Sequence, residues 1–262
     1  MALPVVPLRA DELYPSHQLQ DLLSLLGWWS EQGGIFLLTG EVGCGKTSAL
    51  RRFVAQLNPA RAHAVSLVPP LPSARALYRA ILRSLGETPQ GLVADLAAAY
   101  VAAVTALAQR GLHLLLVIDE AQDLPLSVLA QLRNLLTAPD GAPLPVALLL
   151  SGTQEISQHL HLALLQPVQQ RVVSAYHLTA LGRDELPTYV SHQLKTAGAR
   201  AELSSDALTA LFEYTRGVPR LVTGVLRLAL RQSVERIELP ELHKALRAAG
   251  YAVTTATAGA ST

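Results

Sequence analysis

The octapeptide Gly40-Glu41-Val42-Gly43-Cys44-Gly45-Lys46-Thr47 narrows the possible folds of this chain more than anything else in it, because it fits G-x-x-x-x-G-K-[ST]. The apolar run Ile35-Phe36-Leu37-Leu38 before it reads as a buried strand, and residues 45–57 after it read as a helix. Strand, loop and helix in that order form a cradle for phosphate. Glycines let the main chain wrap an anion without Cβ clashes, while the loop amides and the helix N-terminus supply donors. Lys46 is expected to reach the β- and γ-phosphates of a nucleotide, the Thr47 hydroxyl to ligate magnesium, and Ser48 to be among the nucleotide-binding residues. Cys44 reads as a tolerated small residue whose modification would obstruct nucleotide.

The remaining segments alternate. Residues 16–31 show helical spacing, and 62–67 read as a second strand. Ser73 is placed to cap a helix reaching residue 85, and a further helix runs over about 91–110. Residues 112–118 give the strongest strand signal. Pro125 opens a helix to about 137, and residues 145–150 read as a buried strand, with 172–178 as a shorter one. The expected fold class is therefore α/β, a parallel five-stranded sheet flanked by helices. Beyond Gly182 the strand signals vanish, and helices at about 183–196, 204–215, 219–233 and 240–249 follow. The predicted organisation is a nucleotide-binding domain over 1–180, a small helical lid over 181–250 and a disordered tail over 251–262. Half of the 262 residues are hydrophobic, which supplies a sizeable core. The single cysteine excludes an internal disulfide framework, and no stretch reaches the roughly 18 unbroken apolar residues of a bilayer span. A cytoplasmic location is expected.

A second motif ends the strongest strand. Leu114-Leu115-Leu116-Val117-Ile118 runs directly into Asp119-Glu120. After a phosphate loop, such a pair divides the labour of hydrolysis: Asp119 holds the hydrated metal, and Glu120 orients and deprotonates the attacking water. An Asp-Glu pair after a strand also serves as a helix cap, and the loop upstream is what selects the catalytic reading.

With both motifs in hand, the chain resembles the AAA+ P-loop NTPases, and among them the ExeA-like group, related to transposition regulators of the TnsC, TniB and MuB kind. The residues carrying the resemblance are Leu-Leu-Thr-Gly-Glu (37–41), Val-Ile-Asp-Glu-Ala-Gln-Asp-Leu (117–124), Gln-Gln-Arg-Val (169–172), His-Leu-Thr-Ala-Leu-Gly-Arg-Asp-Glu-Leu (177–186) and Gly-Val-Pro-Arg (217–220). The resemblance implies that Arg171 is an arginine finger acting on a neighbouring subunit's nucleotide, in a ring or helical filament assembled with ATP and magnesium. It implies that Arg220 is the lid arginine called sensor 2 and that Ser151 or Thr153 is sensor 1. Tyr14 and His17 fall where such proteins pack adenine, although both also suit simple packing.

Formal charge is only +1, so any affinity for nucleic acid has to come from a local patch. Arg75, Arg79 and Arg83 recur every four residues on one helix with no acidic residue opposed. Such a row repels itself by roughly a few tenths of a kcal/mol per pair, a cost that phosphate contact removes. It reads either as a solvated face or as a sequence-tolerant contact to double-stranded DNA. Three functions follow from the resemblance. The first is a regulator of transposition that oligomerises on target DNA with ATP, meets a transposase and a target-selection protein, and disassembles on hydrolysis. The second is a secretion-assembly ATPase like the ExeA proteins, which carry a membrane span and a peptidoglycan-binding part after the ATPase, whereas this chain ends without either. The third is a slow nucleotide switch, against which Glu120 speaks.

Overall fold

The computed structural model describes residues 13–231 and 236–253. They fall into two compact units. One comprises His17–Val42 and Lys46–Leu178; the other comprises residues 13–16, Gly43–Gly45 and the described residues from 179 on. The tail expected over 251–262 lies, from residue 254, outside the described residues, as do residues 232–233 at the end of the third lid helix.

In the first unit, α1 (His17–Gln32) leads into β1 (Gly34–Gly40), α2 (Lys46–Gln56), β2 (Ala62–Leu67), α3 (Ala74–Ser84), α4 (Val93–Gln109) and β3 (His113–Ile118). A 3₁₀ turn, Ala121–Asp123, precedes α5 (Leu126–Gln131), and β4 (Val146–Gly152), α6 (Gln154–Leu160), α7 (Gln166–Gln169) and β5 (Val172–Leu178) complete the unit. All five strands are parallel, in the order β2-β3-β4-β1-β5. Strands covered on both faces read as unbroken apolar runs, and β3 and β4 are buried almost end to end. β5 lies at the sheet edge and alternates half-buried with exposed residues. It keeps the bounds expected for it and, at seven residues, is as long as β4.

This order decides where chemistry can happen. β4 pairs with both β1 and β3, with Leu37 opposite Leu150 and Ile118 opposite Leu150. The carboxyl ends of β1, β3 and β4 therefore lie side by side, the arrangement that places a ligand crevice at the ends of parallel strands. On one face, α3 buries Leu77, Tyr78, Ile81 and Leu82 in the core, and its Ser73 cap accepts from the Ala76 N–H at 3.2 Å. Tyr100 of α4 is enclosed there, donates to the Leu135 carbonyl at 2.8 Å, and has its phenol pushed far up by desolvation.

Two expectations are corrected in this unit. The helix from Pro125 stops at Gln131 and tightens into a 3₁₀ turn over Leu132–Leu135. The cause is tertiary: Thr137 bridges Pro143, and the Leu144 N–H donates to the Leu136 carbonyl at 3.0 Å, which pulls the chain out of the helix. Between β4 and β5, where no helix was expected, α6 and α7 intervene.

The second unit holds α8 (Leu186–Thr196), β6 (Glu202–Leu203), α9 (Ser205–Thr215), α10 (Pro219–Ala229), β7 (Arg236–Ile237) and α11 (Leu239–Ala248). Its core is apolar, with Leu186, Leu211, Val222, Leu226, Leu242 and Leu246 buried together. The expectation of no strand here is overturned, since β6 and β7 pair in parallel with Leu203 opposite Ile237. α8 begins three residues later than expected because a turn first closes on Gly182, whose carbonyl accepts from Glu185 and Leu186. Gly217 adopts φ +72, and a Cβ there would meet the Leu181 carbonyl oxygen at 2.1 Å, so only glycine fits ahead of α10.

Candidate active site

β1 ends at Gly40, and the chain turns through the loop before α2 starts at Lys46. Gly45 sits at φ +110, a conformation that a side chain would strain. The Lys46 side chain is buried, and its ammonium donates to the carbonyls of Gly40 at 2.8 Å and Glu41 at 3.1 Å. It thus lies inside the loop it follows. Thr47, next in α2, donates its hydroxyl to Asp119 Oδ2 at 2.6 Å. Asp119 is buried at the end of β3, and its main-chain N–H extends the ladder to the Leu67 carbonyl at 3.1 Å. Side-chain alternation explains the meeting: Ile118 packs in the core shared with α3 and α4, so Asp119 points to the other face, where α2 lies.

Glu120 is half-buried in the left-handed region at φ 53 and ψ 43, uncommon for a residue other than glycine, and its N–H donates to Asp119 Oδ1 at 3.1 Å. The Gln122 side chain donates from Nε2 to Glu120 Oε2 at 2.9 Å, and its Oε1 accepts from the Thr153 N–H at 3.2 Å. Gln122 was quoted above only within the stretch 117–124 and was given no role. Thr153 is half-buried just beyond β4, whereas Ser151 is fully enclosed with its hydroxyl unpartnered. Thr39, the residue before Gly40, was also missed. Its hydroxyl pairs with His177 Nδ1 at 2.9 Å and so ties the end of β1 to β5.

These groups suit a nucleoside triphosphate with a hard divalent cation. A helix N-terminus and an ammonium face the loop, and a hydroxyl and a carboxylate stand in contact as oxygen donors. Among the described residues there is no cluster of three or more His, Cys, Asp or Glu that could hold a metal ion.

The other expected residues are spread over the loop, α1, α2 and the second unit. Glu41 and Val42 are exposed at the loop's crest, Ser48 is half-buried in α2, and Cys44 is buried and free of disulfide. In the second unit, exposed Arg220 of α10 donates its main-chain N–H to the Gly43 carbonyl at 3.2 Å, and a Cβ on Gly43 would come within 2.9 Å of Arg220 Cβ. Tyr14 packs edge-on against Tyr189 at 5.4 Å and beside His192 at 5.5 Å. Burial and then the Glu185 carboxylate push its phenol up, against a hydrogen bond with Thr188. His17, exposed, opens α1 in the other unit.

Arg171 precedes β5, and its carbonyl accepts from Ile35 N–H at 2.9 Å, at the amino end of the sheet. Lys46 and Asp119 follow the carboxyl ends, a strand length of roughly 20 Å away. The structure therefore does not bring Arg171 to the Lys46–Asp119 cluster of its own chain. It is half-buried, donates to the Pro167 carbonyl at 2.8 Å, and lines a pocket with Arg133, Asn134 and Thr137.

The basic stripe lies on the side of α3 away from buried Leu77, Ile81 and Leu82, but its depth is uneven. Arg75 and Arg83 are exposed, but Arg79 between them is half-buried with Nε enclosed. Arg75 further donates to the Gly91 carbonyl at 3.1 Å.

Residues 30–160, half of the chain, match the family described as AAA domain. The chain belongs to that family. It is a P-loop ATPase of the AAA+ fold, built on a parallel five-stranded sheet flanked by helices. General secretion pathway protein A of Aeromonas hydrophila is 31% identical over 249 residues, a match covering 92% of this chain and 45% of that protein. The chain thus spans a little under half of that relative's length. Among solved structures, the Aeropyrum pernix ORC2 protein in its ADP form is similar with a TM-score of 0.67 at 16% identity, covering 90% of this chain and 70% of that one. The Thermotoga maritima RuvB Holliday junction branch migration motor is similar with a TM-score of 0.59 at 20% identity, covering 92% and 72%. At such identities these structures speak for the fold alone. Among the described residues no helix is long and apolar enough to cross a membrane.

Proposed function

We propose that this chain is the ATP-hydrolysing motor of a secretion-assembly protein of the ExeA kind, working as a homo-oligomer. The observation that carries this reading over regulation of transposition is the 31% identity, across 92% of the chain, to a general secretion pathway protein. Lys46 would hold the β- and γ-phosphates, and Thr47 and Asp119 would hold magnesium, which would offset phosphate charge. Glu120 orients and deprotonates water for in-line attack. Thr153, tied to Gln122, serves as sensor 1 in preference to enclosed Ser151. Arg220 neutralises charge developing in the transition state. Deleting the gene in its native host is expected to stop secreted proteins from reaching the medium, and a Lys46→Ala allele is expected not to restore them. Normal secretion from the deleted strain would refute the reading.

The position of Arg171, a strand length from its own loop, supports action on a neighbouring subunit. Arg171→Ala and Glu120→Gln proteins, each inactive alone, are expected to regain turnover when mixed. Random assembly leaves roughly one interface in four with both groups intact, so recovery approaches about a quarter of the wild-type rate. No recovery at any ratio counts against the arrangement.

A second reading, a regulator of transposition acting on duplex DNA, is favoured by the exposed Arg75 and Arg83 on α3. It requires that duplex DNA stimulate turnover and that the stimulation fade steeply with salt. The secretion reading requires equal turnover with and without DNA.

A further inference from the structure

Gln122 stands between two elements that the sequence separates, and its two hydrogen bonds define its orientation. An ionised carboxylate only accepts and a main-chain N–H only donates, so the amide nitrogen must face Glu120 and the amide oxygen must face Thr153. Neither end can be flipped without losing both bonds. The turn carrying Gln122 is anchored by Ala121, which is fully buried. Glu120 itself occupies a left-handed conformation that leaves its side chain outside the strand's alternation. Among the described residues, the Gln122 amide is the side chain hydrogen-bonded to that carboxylate.

The other side of the amide is equally constrained. Gly152, the last residue of β4, leaves no room for a side chain, since a Cβ there would lie 2.3 Å from Gln122 Oε1 and 3.2 Å from Ile156 Cγ2. Absence of a side chain at 152 is thus what lets Gln122 reach the Thr153 N–H.

We propose that Gln122 is a positioning residue for hydrolysis, which fixes the Glu120 carboxylate to the carboxyl end of β4 and makes the reach of the base depend on where that strand end stands. Any shift of Thr153 is passed through one rigid amide to Glu120. The inference rests on Glu120 being the base, and it deepens that assignment.

Steady-state ATP turnover by the full chain tests it. Gln122→Ala is expected to lower kcat by about 10- to 100-fold while KM and nucleotide affinity stay within about threefold, because the amide touches the base and not the phosphates. Gln122→Glu places a second carboxylate against Glu120 and loses the donor. Its kcat is expected to fall at least as far as that of Gln122→Ala, again with KM nearly unchanged, a split that a purely structural residue would not give. Gly152→Ala is expected to reduce kcat by displacing Gln122 and to cost little more in the Gln122→Ala background, a non-additive cycle.

An unchanged or raised kcat in Gln122→Ala, a loss confined to KM, wild-type turnover by Gln122→Glu or strict additivity with Gly152→Ala would each overturn the proposal. Wild-type hydrolysis by Glu120→Gln removes the base assignment instead. An inactive Glu120→Gln beside a fully active Gln122→Ala removes the positioning role alone.

Discussion

Lys46→Ala is expected to lose ATP binding by at least 100-fold and turnover altogether. The ammonium is buried within the loop, where it donates to the Gly40 and Glu41 carbonyls at 2.8 and 3.1 Å. Phosphate oxygens compete for the same donors and win, because hydrogen bonds between charged partners contribute about 1.5–3 kcal/mol each. Two such contacts amount to roughly 3–6 kcal/mol, or about a 150- to 20,000-fold change in affinity. Alanine is a good helix former at the start of α2, so the fold should persist. Titration calorimetry with ATP and magnesium, alongside a thermal melt, reads both. Lys46→Arg keeps the charge but replaces a compact ammonium by a planar fork, and is expected to recover little of the binding. A folded Lys46→Ala protein that binds ATP like wild type would dismantle the whole account of the site.

The sheet was legible because parallel strands covered on both faces leave apolar runs that no surface segment tolerates, as in Leu114-Leu115-Leu116. The loop was legible because its glycines and lysine meet a requirement local to eight residues. What escaped depended on contacts outside the segment itself or was too short to carry a period. The 3₁₀ end of α5 follows from the bridge of Thr137 to Pro143, and helical periodicity carries no trace of such a pull. β6 and β7 are two residues each, too short for any alternation to register. α6 and α7 run for seven and four residues, below the length at which a 3.6-residue period can be counted.

Within the site the same division holds. Thr47 and Asp119 were found by motif, and their contact at 2.6 Å follows from β3 delivering Asp119 to the face that α2 covers. Gln122 was in plain view beside the acidic pair, yet its role depends on β4 lying next to β3, a strand order that no pattern of residues announces. Arg75, Arg79 and Arg83 give the converse case. Helical spacing aligns them, but how deep each sits is set by what packs alongside, and Arg79 is half-enclosed. Periodicity gives direction, not depth.

Glu120→Gln is expected to keep ATP and lose hydrolysis, with kcat falling by about 100- to 10,000-fold, or roughly 2.7–5.4 kcal/mol of transition-state stabilisation. Glutamine matches glutamate in shape and keeps an acceptor for the Gln122 N–H, so the turn at φ 53 faces no new strain. What disappears is the negative charge that takes a proton from water. Lys46, Thr47 and Asp119 remain in place, and affinity for ATP should stay within a few-fold of wild type. If ATP assembles the proposed oligomer and turnover resets it, the variant forms assemblies with ATP that persist, readable by light scattering after dilution. Stopped-flow phosphate release measures the chemical step directly. If Glu120→Gln releases phosphate at the wild-type rate, the base must be sought among the neighbours of Asp119. If hydrolysis stops but ATP also fails to bind, Glu120 supports the loop and does not activate water.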